Sequence, residues 1–141
     1  MAEKKGMTSR NKGARTAASK RFTEGLAVRK EVLGDAYVKK ALETADDFNW
    51  PLQELVTEYC WGAVWTRPGL PKKIRSLLNL AILTALNRPH EFKLHVRGAI
   101  NNGLTRDELK ELFLQVAIYC GVPAAVDSFR IAREAFKEMG I

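Results

Sequence analysis

Apolar residues recur along this chain at helical spacing, and Gly, Pro and capping residues cut the pattern into segments. Phe22 to Leu33 reads as a helix that stops at Gly34, a residue tolerant of positive φ. Asp35 caps a second helix through about Phe48, with Tyr37, Val38, Ala41, Leu42 and Ala45 as its apolar stripe. Pro51 sits near the first turn of a third helix, where its missing N–H costs little. That helix is expected to bury Leu52, Leu55, Val56, Tyr59 and Ala63 and to end before Arg67-Pro68-Gly69. Pro71 opens a fourth, running to about Asn87. Its Ile74, Leu77, Leu78, Leu80, Ala81, Ile82, Leu83, Ala85 and Leu86 cover most of the circumference. Such a helix is expected to be buried on several sides, as a central helix or under a neighbouring subunit. Pro89 begins a fifth helix that runs to Asn102 and stops at Gly103. Thr105-Arg106-Asp107-Glu108 is a capping box that opens a sixth, to about Tyr119. After Gly121-Val122-Pro123 a last helix runs from about Ala124 to Met139. No segment carries a strand period. The prediction is an all-α fold of about seven helices.

Length and charge sharpen this picture. A chain of 141 residues is one domain, or one domain with a tail, and is long enough to bury a sizeable core. The net charge of +7 invites a nucleic-acid or membrane-surface reading, but it is unevenly spread. Residues 1–21 hold seven cations and one anion, whereas the other 120 residues are close to balanced at +1. We therefore divide the chain into a flexible basic N-terminal arm, 1–21, and a helical domain, 22–141. No apolar run approaches the length of a membrane span: the longest, Ile74 to Leu86, is broken by Arg75, Ser76, Asn79 and Thr84. The N-terminal cations are followed by no apolar stretch of the kind a secretory signal needs. Cys60 and Cys120 are too few for a disulfide scaffold or a Cys-rich metal site, so reduced thiols in a cytoplasmic protein are expected.

Candidate chemistry centres on the fifth helix. His90 and His95 are five residues apart, roughly 140° around a helix, so they do not share a face as the zinc-protease spacing requires. No metal is expected. Glu91 and His95, at i and i+4, do share a face, with Phe92, Val96 and Ala99 on the same side. A carboxylate beside an imidazole in an apolar setting tunes it toward acid–base work. The same spacing suits a core histidine satisfied by one hydrogen bond, and spacing alone does not separate the two. Trp61 and Trp65 are i, i+4 on a face distinct from the Leu52/Leu55/Tyr59 stripe, with Glu58 nearby, which implies a pocket or subunit contact as well as core. Arg67 in a Pro-Gly turn, Arg75 on the mostly apolar fourth helix and Arg97 near His95 are candidate anion readers, or partners of the domain's own acids. No P-loop, dinucleotide fingerprint or nucleophile elbow is present.

Several segments resemble those of the carboxymuconolactone decarboxylases, within the superfamily that includes the AhpD-type alkylhydroperoxidases. They are Arg29-Lys30-Glu31-Val32-Leu33-Gly34, Trp61-Gly62-Ala63-Val64-Trp65-Thr66-Arg67-Pro68-Gly69-Leu70, Arg75-Ser76-Leu77 and Glu91-Phe92-Lys93-Leu94-His95. Gly103-Leu104-Thr105-Arg106-Asp107-Glu108-Leu109 and Tyr119-Cys120-Gly121-Val122-Pro123-Ala124 follow. The resemblance spans about Gly25 to Met139, and the Trp-x-Arg-Pro-Gly-Leu block is its most specific part, similar to the decarboxylase branch. The peroxidase branch carries a Cys-x-x-Cys ahead of its histidine. Here those positions are Arg88 and Glu91, which excludes a resolving dithiol.

The resemblance implies an AhpD-like helical fold and a trimeric or hexameric homo-oligomer. It also implies cofactor-free decarboxylation of a small anionic lactone: γ-carboxymuconolactone would lose CO2 to give β-ketoadipate enol-lactone in protocatechuate breakdown. The lactone takes the electrons that CO2 leaves behind. The protein need only bind carboxylate, stabilise the oxyanion and deliver a proton to carbon. On that basis His95 is the expected general acid or oxyanion donor and Glu91 its orienting partner. Arg67, Arg75 or Arg97 would hold substrate carboxylate, and Trp61 and Trp65, with Glu58 beside them, would line the pocket. Two alternatives remain: a relative of the same fold acting on another lactone or carboxylic acid, and a non-enzymatic protein whose basic arm binds nucleic acid or an acidic partner.

Overall fold

The computed structural model describes residues 18–141, and most of the expected basic arm lies outside them. Seven α-helices and one π-helical segment make up the architecture, with no strand among the described residues. Helix α1 (Lys20–Leu33) starts where the Ser19 hydroxyl accepts the Phe22 N–H, so the last two residues assigned to the arm are helical. It ends at Gly34, whose φ of 93° only glycine adopts cheaply. Helix α2 (Asp35–Glu43) is shorter than expected. The segment that follows satisfies its own backbone: Asp46 accepts the Phe48 and Asn49 N–H groups while Asn49 accepts that of Asp46. Such local bonds compete with helix continuation. Helix α3 (Trp50–Leu55) runs directly into the π-segment (Val56–Trp65). Then come α4 (Lys72–Ala85), α5 (Pro89–Asn101), α6 (Arg106–Cys120) behind the expected capping box, and α7 (Val122–Met139).

Two apolar clusters organise these helices. Leu80, Phe92, Val96, Ala99, Leu109, Phe113, Ile131, Ala135 and Phe136 join α4 to α7. Val32, Leu33, Val38, Trp61 and Trp65 join α1, α2 and the π-segment. Helix α5 belongs to both. Its Phe92, Val96 and Ala99 face the first cluster, Leu94 packs on the second, and the Asn101 amide donates to the Val32 carbonyl over 2.8 Å. The α4–α5 turn closes with Asn87 at φ 53° and the Arg88 N–H returning to the Leu83 carbonyl, an asparagine doing what glycine usually does after a helix.

The face that α3 and the π-segment bury differs from the expected one. Leu52, Leu55 and Tyr59 are more than half exposed, whereas Thr57, Trp61, Gly62 and Trp65 are buried. The cause is backbone contact with α1. A Cβ on Gly25 would stand 2.5 Å from the Gly62 nitrogen and one on Gly62 would collide with the Arg21 carbonyl oxygen, so the two glycines let the backbones touch. The inward face is the one on which Gly62 admits α1, and Trp61 and Trp65 are buried along with it. Helix α4 departs too: only Ser76, Leu80 and Thr84 are buried, and Ile74, Leu78, Ile82 and Leu86 form an exposed ridge at i, i+4 spacing. Within one chain it is not a central helix.

This packing makes Gly62 intolerant. Gly62→Ala should lower stability by about 1–3 kcal/mol or more through overpacking, measured by urea denaturation. Gly69→Ala, where an added Cβ meets nothing within 4 Å, should be close to neutral. Equal effects at the two positions would contradict the backbone contact.

Candidate active site

Where the two clusters meet on α5, His95 lies half-buried against the indoles of the π-segment. Its ring stacks on Trp61 at 6.4 Å and 8°, and on Trp65 at 6.5 Å and 23°, while the two indole centroids are 4.7 Å apart. Removal from water lowers the His95 proton affinity to about 4, and the negative charge of Glu91 one turn earlier offsets only part of that. The imidazole is therefore neutral at pH 7. Glu91 acts on it through charge, since the hydrogen-bonding partner of His95 is a different residue. Asn79 of α4 brings its side-chain amide nitrogen to 3.5 Å from Nδ1, a long contact; with that nitrogen as donor, Nδ1 accepts and a neutral ring carries its proton on Nε2.

Arg75 stands on α4 one turn before Asn79, so both reach the same side of the helix. Its Nη2 donates to the Arg67 carbonyl over 3.1 Å, just past Trp65, and its buried Nε has no hydrogen-bond partner. An unfilled donor on a guanidinium is available to an anion. The Arg67 side chain is exposed, and its contribution to the cluster is this carbonyl. Arg97 does not join the site. Two residues beyond His95 it points to a different side of α5, where it pairs with Glu138 beside the Lys93–Glu138 bridge. Glu58 is likewise engaged elsewhere, accepting the Ser19 hydroxyl at the start of α1.

The structure thus brings His95 against Trp61 and Trp65, with Arg75 one turn from Asn79 on the neighbouring helix and Glu91 near enough to act through its field. Asn79 is the residue the sequence reading missed. Its signal in the sequence is its place i+4 from Arg75 on a helix otherwise apolar, where by itself it reads only as an interruption of an apolar run. Arg29 was also missed, being visible only as part of a motif, and the fold buries it. Among the described residues no three His, Cys, Asp or Glu side chains converge as a metal site would require. The arrangement offers one neutral hydrogen-bond donor, one cation with spare donors and two flat apolar walls. Such a set suits a small anion that generates an oxyanion as it reacts.

Similarity to known proteins agrees with this geometry. The chain is 47% identical over 121 residues to 4-carboxymuconolactone decarboxylase of Acinetobacter baylyi, covering 86% of this chain and 90% of that one. It is equally 47% identical over 118 residues to nitrosuccinic acid decarboxylase of Metarhizium robertsii, covering 84% and 82% of the two chains. A 42-residue stretch, 30% of this chain, is 45% identical to 4-carboxymuconolactone decarboxylase of Pseudomonas putida and spans 88% of that sequence. The profile of the carboxymuconolactone decarboxylase family matches residues 51–134, a range that holds the π-segment, Arg75, Asn79 and His95. By sequence and by the placement of these residues, the chain belongs to the carboxymuconolactone decarboxylase family.

Proposed function

We propose that this protein is a cofactor-independent carboxy-lyase that converts γ-carboxymuconolactone to β-ketoadipate enol-lactone. The observation that supports it most directly is a neutral imidazole stacked on two tryptophans, with the unfilled Nε of Arg75 on the neighbouring helix. Arg75 binds a substrate carboxylate. The bond between the γ carbon and the departing carboxylate breaks, CO2 leaves, and the electron pair passes through the ring onto the lactone carbonyl oxygen. His95 donates its Nε2 proton as a hydrogen bond to that oxygen as charge builds, and the walls of Trp61 and Trp65 keep water from competing. A bound dianion raises the proton affinity of His95, so with substrate the imidazole takes up a proton at Nδ1, to which Asn79 then turns its amide oxygen, and Nε2 gives its proton to carbon once CO2 has gone. Asn79 holds the ring orientation, and Glu91 tempers the loss of proton affinity.

A second reading has a specific basis. The chain is as similar to a nitrosuccinic acid decarboxylase as to a 4-carboxymuconolactone decarboxylase, and a nitro group beside a carboxylate also accepts an electron pair. The binding-protein alternative rests on the arm, most of which lies outside the described residues. No described helix is long and apolar enough to cross a membrane. We further propose a homo-oligomer, trimeric or hexameric. The exposed ridge Ile74, Leu78, Ile82 and Leu86, the stripe Leu52, Leu55 and Tyr59, and Ile118 and Tyr119, each at least 80% exposed, are more apolar surface than a lone soluble chain usually presents to water.

Turnover tests the reaction. Wild-type protein incubated with γ-carboxymuconolactone should consume it and release CO2, and nitrosuccinic acid in a parallel assay decides between the two substrates. His95→Gln keeps a donor but carries no proton and should lose about 10²-fold in kcat, while His95→Ala should lose about 10³-fold or more. Near-normal turnover by His95→Ala would overturn the assignment.

The neutral histidine also predicts a pH effect on stability. Its folded-state proton affinity lies below the ordinary 6.5, so the unfolded chain binds the extra proton between pH 6.5 and about 4. This contribution to stability is present above pH 6.5 and lost as the pH falls to about 4. Urea denaturation at pH 7 and pH 4 should show wild type losing up to about 3 kcal/mol more than His95→Gln.

Sedimentation velocity tests the assembly. Wild type should sediment as a trimer or hexamer, and Leu78→Lys with Ile82→Lys should shift it toward monomer.

A further inference from the structure

Arg29 is the most deeply buried charge in the described chain, at 5% exposure, and no carboxylate is among its hydrogen-bond partners. Its Nη1 donates to the Thr57 hydroxyl over 3.0 Å and its Nη2 to the Gln53 side-chain oxygen over 2.9 Å, while its Nε has no partner. Burial lowers its proton affinity, yet an arginine stays charged. A cation held inside a protein by neutral oxygens alone is costly, and an apolar residue of like size would avoid the cost. The position of the two acceptors suggests what is gained.

Gln53 and Thr57 are i and i+4 across the point where α3 becomes the π-segment, between Leu55 and Val56. The Gln53 carbonyl takes both the Val56 N–H and, over 2.7 Å, the Thr57 hydroxyl. Arg29 therefore closes a network over the turn in which the helix widens. A widened helix is less stable locally than an α-helix and is found mostly as a single turn at functional sites. Here it runs for ten residues, so something outside it must hold it. Further along the same segment come Trp61 and Trp65, whose indoles meet His95.

We propose that Arg29 is a positioning residue: its guanidinium fork, spanning Gln53 and Thr57, holds the helical widening that sets Trp61 and Trp65 against His95. Its effect on turnover rests on the reading of His95 as catalytic, but its effect on the wall does not. Thr57 is fully buried, and Thr57→Val removes the acceptor with little change of shape. Gln53 is half-buried, and Gln53→Ala is a milder second variant. Thr57→Ser keeps the hydroxyl. Two readouts are independent of activity. The Trp61–Trp65 pair at 4.7 Å should give an exciton couplet in circular dichroism, to which Trp50, set against Phe22, contributes little. The chain has only two histidines, so the titration of His95 is resolvable by NMR.

Thr57→Val and Gln53→Ala should keep wild-type helicity, weaken the couplet and move the His95 midpoint up from about 4 toward 6.5 as water reaches the ring. Their kcat should fall by about tenfold or more, with a smaller rise in KM, and Thr57→Ser should retain all wild-type values. Folded variants with an unchanged couplet and an unchanged His95 midpoint would overturn the proposal. So would a couplet lost only in step with total helicity. A changed couplet and midpoint with wild-type turnover would support the clamp and count instead against His95 as the catalytic group.

Discussion

Two helix backbones in contact leave no room for adjustment by side chains, and α1 and the π-segment meet in this way at Gly25 and Gly62. Everything carried by the π-segment then has its direction set by α1. Thr57 turns inward to Arg29, Trp61 and Trp65 turn toward α5, and Leu52, Leu55 and Tyr59 turn out to solvent. Helix α5 is referred to the same element: a Cβ on Gly98 would stand 3.0 Å from Val32, and Asn101 donates to the Val32 carbonyl. Both halves of the site, the aromatic wall and the imidazole, are thereby measured from α1. A shift of that helix would move them together.

Desolvation does two opposite things in this frame. It strips His95 of its charge, because an imidazolium between indoles would lose its hydration without a close carboxylate to replace it. It cannot strip Arg29, whose guanidinium holds its proton, and so leaves that side chain with an unfilled donor, as the Nε of Arg75 also is. The two arginines resolve this differently. Arg29 spends both ends of its fork on internal oxygens and stiffens a helix. Arg75 commits one nitrogen to a backbone carbonyl and keeps a buried Nε unpaired. Surface cations such as Lys93, Arg97 and Arg130 are matched by Glu138, Glu134 and Asp127, so the bulk excess of positive charge has little bearing on the site.

The fold was largely legible because its punctuation is local. Gly34, the Thr105–Glu108 box and the prolines opening α3, α5 and α7 mark boundaries through backbone chemistry that needs no partner. Which face turns inward was less legible, since that depends on contacts distant in sequence. The Leu52/Leu55/Tyr59 stripe turns outward because the face containing Gly62 is the one that admits α1. The widening after Leu55 has no signature in a 3.6-residue period. At the site, Glu91 with His95 and Trp61 with Trp65 could be paired from spacing within their helices, whereas the tryptophans and Asn79 meet His95 across helices. Arg97 was drawn in by closeness in sequence to His95, yet a helix sends residues two apart to different sides.

A site built this way makes few demands on the acid it takes. On the proposed reading, the reacting molecule brings its own electron sink, and the protein supplies a cation, a donor and a dry wall. None of these is particular to a lactone ring. That would let one family hold two relatives, each 47% identical to this chain, whose names specify different acids. Discrimination would then fall to the shape between the indoles and α4, where a methylene's difference in fit is worth only about 1–3 kcal/mol. Since that shape is set by the register of the π-segment against α1, selectivity in this scaffold would depend as much on what holds the helix open as on the residues that touch substrate.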